Sequence, residues 1–463
     1  MEERFRETSV KLERRGWDVA CRLVWPRMLF LTTGCGLSLN LLYFLMFEYN
    51  IKSITAIQIC CLIFGFVYMV GLAGAVADYC YFGSFRIITV FSVISFLGTV
   101  MLSQVHAPSE TPTKYQFGLV FVSIALALSG FVAVSNSYGF LKRDQYDKPP
   151  TARWNISCIC FFNYVTIGGL VTAIGLGGEK KVWNFGFSMC CGTNVMGLIL
   201  FLCGTCSYRL RKPQETVISS KNDHSTKTIP LFVTDIFLHA SDIMLNSLIT
   251  LQALTMNRHF EPDSIMPASC FGFFSLPTIF LSLAIIDFLI VPKCKKLSIS
   301  WGIGLTHVLT ILTLIASAVI ESRRLNHLTN NLSSMSAFWL MIPEAILGFK
   351  FGFYFRRNGR MYCRERPVEE ITTVLMRTFL LGMGCFVSIL IIQIFLQFTH
   401  WLPHNINDGR LDYVFWTLAA IGCLNFALHL IITNNFEFPT FRFYAGHDDD
   451  NDEAAHGSNL QVA

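Results

Sequence analysis

Apolar residues in this chain run for about twenty positions at a time before polar ones interrupt them. Reading runs against interruptions predicts twelve helical spans, near 27–47, 54–76, 87–105, 115–138, 161–178, 184–204, 229–253, 267–291, 299–320, 334–355, 371–397 and 411–433. A helix of about twenty residues crosses roughly 30 Å of hydrocarbon at about 1.5 Å per residue. The fifth span, around VTIGGLVTAIGLGG, is short and rich in glycine. The longest polar stretch between spans, 207–228, follows the sixth. The pattern therefore predicts an all-α polytopic membrane protein divided six and six. A segment 1–26 precedes a first bundle, 27–206; a linker, 207–228, leads to a second bundle, 229–433, and an acidic tail, 434–463. Two such bundles suit a carrier that rocks about a central site, while twelve spans also suit a channel, receptor or scaffold.

Composition removes the soluble alternatives. Of 463 residues, 53% are hydrophobic and 14% charged, and mean hydropathy is +0.49, too little charge to cover a water-soluble surface of this size. Charge bias sets the expected orientation. Twenty-five Lys and Arg fall on the side of the termini, eight on the other, and Arg27, Lys350 and Arg377 lie inside spans. Basic loops stay cytoplasmic during insertion, so both termini are expected there. The net charge of +5 then reflects topology and attraction to anionic lipid heads, with no module for nucleic acid. The first residues are charged and contain no apolar core of a removable signal peptide. Most of the sixteen cysteines sit in apolar runs, where Cys acts as a small hydrophobe, and none has zinc-site spacing.

Several separated motifs resemble the plant nitrate/peptide transporter family, within the proton-dependent oligopeptide transporters of the major facilitator superfamily. ADYCYFGSFR contains the family's Ala-Asp, spacer, Gly and basic residue, with one residue inserted before Gly83. In KRDQYDKPPTARWNISCICFFNY, the residues Asp144, Gln145, Asp147, Phe161, Phe162 and Asn163 match the fourth-to-fifth connection. KVWNFGF resembles the start of the sixth span, and LQALTMNRHF the end of the seventh. WLPHNINDGRLDYVFWTLAAIGCLNF is similar throughout to the eleventh-to-twelfth connection. NLLYFLMFEYNIKSITAIQI and VISSK look most like the branch of nitrate efflux carriers. The resemblance implies two six-helix bundles of the major facilitator type and alternating-access transport of nitrate or a related small anion. Glucosinolates, hormones and other organic anions are the alternative substrates, and a transport-inactive regulatory protein the alternative class. The resemblance implies no enzyme activity and no cofactor. The expected partners are a small anionic solute and membrane lipid, in the plasma membrane rather than the vacuolar one; the oligomeric state is left open.

The departures from that family concern its charges. Its proton-coupling ExxER in span 1 falls on Arg27, Phe30 and Leu31, so the coupling set is absent. Arg27 cannot cycle a proton at ordinary pH; it serves either as an interfacial anchor or as an anion attractor. The lysine of span 4 falls on Ser135, which weakens the case for peptides, whose two charged ends need partners. The acid of span 10 falls on Phe351, beside Lys350. Lys350 either faces an anion path, or snorkels or pairs with Glu344.

The remaining candidates are polar residues in or beside spans. Asp78 either supports a gate by capping or pairing near Arg86, or is a solvated loop acid. Asp235, His239 and Asp242 in IPLFVTDIFLHASDIMLN share one helical face and, being expensive in lipid, must look into the bundle. They form a substrate or proton path, a structural network, or an interfacial group; Asp235 with His239 has the chemistry of a proton relay. Asp287 is expected to cap or pair, His307 to cross-link helices, and Arg377 to snorkel or meet Glu369 or Glu370. No metal site, phosphate loop or nucleophile elbow is present. NIS at 155–157 and NLS at 331–333 match glycosylation acceptors, the first on the cytoplasmic side and the second close to a span. The tail GHDDDNDEAAHGSNLQVA is expected to be solvated and disordered.

The topology is tested by reporter tags inserted at Ala107, Glu215 and Asn405. The expected sequence is outside, inside, outside; an outside signal at Glu215 overturns the twelve-span arrangement.

Overall fold

The computed structural model describes residues 2–104, 113–145, 183–210, 223–261, 264–290, 296–330, 334–361, 367–403, 405–435 and 440–442. The fifth expected span, both glycosylation triplets, most of the linker and the acidic tail lie outside them, as do the side chains of Asp287, Glu369 and Glu370. The described residues form eleven α-helices. They are α1 (Glu2–Phe47), α2 (Ser53–Ala77), α3 (Ser84–Ser103), α4 (Lys114–Asp144), α5 (Trp183–Cys203), α6 (Asp223–Thr255), α7 (Ser275–Ile285), α8 (Ile299–Thr329), α9 (Met341–Met361), α10 (Pro367–Phe398) and α11 (Leu411–Asn435). Eight of them, α1–α5, α8, α10 and α11, contain a stretch long and apolar enough to cross a membrane. Helices α6 and α9 have the length but interleave charge with apolar residues. Helix α7 is extended by a 3-10 segment, Ala268–Phe274, before it and a π-helical turn, Ile286–Ile290, after it.

The first helix differs from expectation. It is continuous from Glu2, although the apolar span within it begins at Arg22. Residues 2–26 are therefore helical and run directly into the first span. Pro26 lies inside this helix, where it removes one backbone donor.

Small residues and short polar side chains bring the helices together. Among α1–α5, α3 packs most extensively on α4. A Cβ on Gly98 would overlap the backbone of Ala127, and one on Gly130 the carbonyl of Phe91. Ser95 Oγ donates to the Ala127 carbonyl at 2.9 Å, and Asn194 Nδ2 donates to Ser95 Oγ at 2.9 Å. Helices α6–α11 pack likewise among themselves, led by α8 on α11 and α7 on α9. The seam between the two groups is α2 against α10. There a Cβ on Gly65 would come within 2.7 Å of the Phe386 ring, and one on Gly382 would overlap Met69. Two antiparallel ribbons complete the fold: β1 (His259–Glu261) with β2 (Ser264–Ile265), and β3 (Lys296–Ser298) with β4 (Thr440–Arg442). The second ribbon ties the chain beyond α11 to the start of α8.

The WLPHNINDGRLD stretch folds into a clasp between α10 and α11. Arg410 donates from Nε and Nη2 to the two oxygens of Asp412, at 3.1 and 3.0 Å, and lies 3.9 Å from the centre of the Tyr413 ring. Its backbone N–H donates to the Trp401 carbonyl at 3.1 Å. Asn407 Oδ1 accepts from Arg324 of α8 at 2.6 Å. Arg324 also donates twice to Glu321, at 2.8 and 2.7 Å, and Gln252 of α6 donates to the same carboxylate at 2.7 Å. All three residues are buried, so this network joins α6, α8 and the clasp through satisfied charge.

Removing one member of such a pair strands a buried ion at a cost of about 3–5 kcal/mol. Arg324→Ala is expected to lower the thermal midpoint of the detergent-purified protein markedly in a fluorescence melt. A midpoint unchanged from the parent would show that the network contributes nothing to stability.

Candidate functional site

Helix α6 carries the polar face read in the sequence. Asp235, His239 and Asp242 are 1%, 4% and 4% exposed, and a carboxylate so enclosed needs a partner from another element. For Asp242 that partner is Lys350, near the midpoint of α9, whose Nζ donates to Asp242 Oδ1. The helices run antiparallel here, so a step back along α6 meets a step forward along α9. The next rung is the Tyr354 hydroxyl with His239 Nε2, 3.2 Å apart, the two rings meeting edge to face. Asp235 adds its negative field to Asp242. Behind the ladder, α10 comes close: a Cβ on Gly384 would lie 2.7 Å from His239 Cβ, and Ser388 Oγ donates to the Ala240 carbonyl at 3.0 Å.

Helices of the first group reach the same region. Tyr68 of α2 lies near Cys385 and Arg377 of α10, Cys35 of α1 and Tyr354 of α9. Asn136 of α4 donates to the Gly71 carbonyl of α2 and to Thr378 Oγ1 of α10, both at 3.3 Å. The ladder thus lies within the C-terminal group, next to a seam that both groups share.

The sequence readings meet the structure unevenly. Lys350 pairs with Asp242, whereas the sequence offered Glu344, six residues earlier on the same helix. Asp78 is 3% exposed, which sets aside the solvated reading; its Oδ1 accepts from Ser84 Oγ, at the start of α3, at 2.8 Å. The intervening Gly83 has φ 79°, a conformation in which a side chain is strained. Arg86 is exposed. Arg27 is half-buried, near Tyr138 on α4. Phe30, at the family's second acid position, packs in an apolar cluster with Leu23, Val134, Tyr138 and Phe201. Ser135, at the lysine position, donates back to the Phe131 carbonyl of its own helix at 2.8 Å. His307 stacks on His429 with ring centres 4.9 Å apart, joining α8 to α11.

Two arrangements escaped sequence reasoning. The Asn136–Thr378 contact joins residues with no shared local pattern. Gln145 was noticed as part of a motif without a role; it brackets the backbone of Arg209, accepting from its N–H at 2.9 Å and donating to its carbonyl at 3.1 Å. Among the described residues no three His, Cys, Asp or Glu side chains form a metal-binding group. A cleft of about 240 Å³, counting space open to solvent, is lined by apolar side chains of the first group and Asn40, with no charge.

Comparison with known proteins gives one consistent answer. Residues 85–229 match the POT family. The Arabidopsis thaliana protein NRT1/PTR FAMILY 2.6 is 26% identical, the match covering 89% of this chain and 92% of the relative. NRT1/PTR FAMILY 2.5 of the same plant is 24% identical, with 97% and 96% covered. A crystal structure of a POT family transporter in complex with 5-aminolevulinic acid superposes with a TM-score of 0.72, at 12% identity, over 90% of this chain and 96% of that one. A peptide transporter POT in complex with sulfate gives 0.70, at 12% identity, over 90% and 94%. The buried ladder therefore sits in a fold shared with POT family transporters, and the chain resembles that family and the NRT1/PTR proteins in sequence.

Proposed function

We infer that the protein carries nitrate or a related small anion by alternating access, without the proton-coupling acids usual in the first span. The observation that carries this reading is Lys350, a cation buried at mid-helix in α9. An ionisable group at such depth is retained at a cost in stability and marks a solute path by default. A lysine there favours a negatively charged solute. The absence of the family's span-4 cation, with Ser135 bonded to its own helix, disfavours a peptide, which offers charges of both signs. Nitrate is chosen over other anions on the resemblance to the efflux branch in NLLYFLMFEYNIKSITAIQI.

In this reading the bundles 27–206 and 229–433 rock about the α2–α10 seam, with segment 207–228 as their link and both termini cytoplasmic. Asp78, bonded to Ser84, stiffens the turn between α2 and α3 at one end of the path, and Arg86 faces the adjoining water or lipid heads. Asp235 and His239 tune the potential around Lys350. The plasma membrane is the proposed location.

Expression in oocytes or reconstitution in vesicles, with isotopically labelled nitrate, tests the reading directly. Uptake or efflux above control is expected, and Lys350→Met is expected to reduce it at least tenfold at equal surface abundance. Movement of a labelled glucosinolate without any nitrate movement would reassign the substrate to organic anions. Confirmed membrane insertion with no flux of either, across pH and voltage, would identify a protein that no longer transports.

A further inference from the structure

Helices α7 and α9 meet along a line of oxygen atoms. On α9, Glu344, Gly348 and Gly352 recur every fourth residue and so share one face. A Cβ on Gly348 would overlap Thr278 Oγ1 and the Ser275 carbonyl oxygen of α7, and one on Gly352 would overlap Ser282 Oγ. Ser275, the first residue of α7, lies beside the Glu344 carboxyl. The three α7 hydroxyls turn their protons into their own helix. Ser275 Oγ donates to the Gly272 carbonyl at 2.8 Å, Thr278 Oγ1 to the Ser275 carbonyl at 2.8 Å, and Ser282 Oγ to the Ile279 carbonyl at 2.7 Å. At these positions α7 offers α9 lone pairs.

Glu344 adds a carboxyl to that line. It is 1% exposed, and neither of its oxygens meets a hydrogen-bond donor among the described residues. Lys350, further along α9, is bonded to Asp242 of α6. Among the described residues no charged side chain stands close enough to compensate Glu344. An ionised carboxylate has room for about four donors, and its burial without them is costly. Turning the Ser275 hydroxyl toward it would supply one donor and no charge. Acceptors that face acceptors away from water call for a cation between them.

We propose that Glu344 and Ser275 form a binding site for a monovalent alkali cation, held between the first turn of α9 and the start of α7. Oxygen atoms without sulfur or imidazole suit a hard cation. One carboxylate among neutral oxygens balances a single positive charge, whereas a divalent ion would leave a buried excess. The Gly272 carbonyl keeps a second lone pair for the same corner, and water completes the shell. Bound there, the ion ties α7 to α9 and leaves the Asp242–Lys350 pair intact. The site is independent of the anion reading, and neither measurement below uses flux.

The test uses the purified full chain in detergent at pH 8.5, with sodium chloride replacing choline chloride at constant ionic strength. A fluorescence melt of the parent is expected to show a saturable rise of about 2 °C or more. Labelled sodium is expected to bind at about one ion per chain and to be displaced by unlabelled sodium but not by choline. Glu344→Gln is expected to lose both signals while melting in choline at or above the parent's midpoint, since the buried charge is gone. Ser275→Ala keeps the acid, removes one ligand, and is expected to weaken sodium binding at least fivefold. Absence of saturable binding in the parent overturns the inference and identifies Glu344 as a neutral acid. Parent-like binding in Glu344→Gln overturns it too, as does a thermal rise that choline matches. If Glu344→Gln fails to insert, the sodium count of the parent and of Ser275→Ala decides.

Discussion

A charge placed in hydrocarbon must meet its opposite inside the protein, and the second half of this chain is organised around that requirement. Charged pairs at two depths answer it: Asp242 with Lys350 at mid-helix, and Glu321 with Arg324 near the clasp. They differ in completeness. The Glu321 carboxylate accepts three hydrogen bonds from Arg324 and Gln252, and Arg324 spends a further donor on Asn407. Such saturation favours one arrangement strongly and suits a scaffold. The Asp242 pair rests on a hydrogen bond to a flexible lysine, whose compact charge can take another oxygen in place of the carboxylate. Similar chemistry is thus saturated in one place and sparse in the other.

The two groups of helices solve the packing problem differently. In α1–α5 the close approaches are made by glycine, serine and neutral amides, as where Gly98 and Gly130 bring α3 onto α4 and Asn194 reaches Ser95. Aromatic rings fill the position where the family places an acid, Phe30 meeting Tyr138 at 6.2 Å. Among the described residues, the C-terminal group holds the buried ion pairs, Asp242 with Lys350 and Glu321 with Arg324.

Much of this was legible in order along the chain. Hydropathy located the helices because bilayer thickness sets their length, and the spacing of Asp235, His239 and Asp242 placed them on one face because the helical period is fixed. The partners were not legible. Lys350 lies 108 residues from Asp242, and nothing local distinguishes that pairing from one with Glu344 six residues away; only the antiparallel approach of α6 and α9 decides it. The same holds for Asn136 with Thr378, 242 residues apart. The clasp was recognisable as a motif, yet its purpose required knowing that Arg324, from a separate helix, ends at Asn407.

The seam supplies the last step. Helices α2 and α10 touch through Gly65 against Phe386 and Gly382 against Met69, contacts with little directional preference. Directional bonds sit toward either end: Gln58 with Gln393 at 3.0 Å, exposed, and Asn136 with Thr378 at 3.3 Å, buried. A smooth middle with a neutral hydrogen bond at each end lets one end part while the other holds. Neither bond carries a net charge, and the net of about 1 kcal/mol typical of a neutral hydrogen bond is small enough to be exchanged during a cycle. The charged ladder stands beside this seam rather than across it, so a parting of the two groups along the seam would separate no ion pair in hydrocarbon.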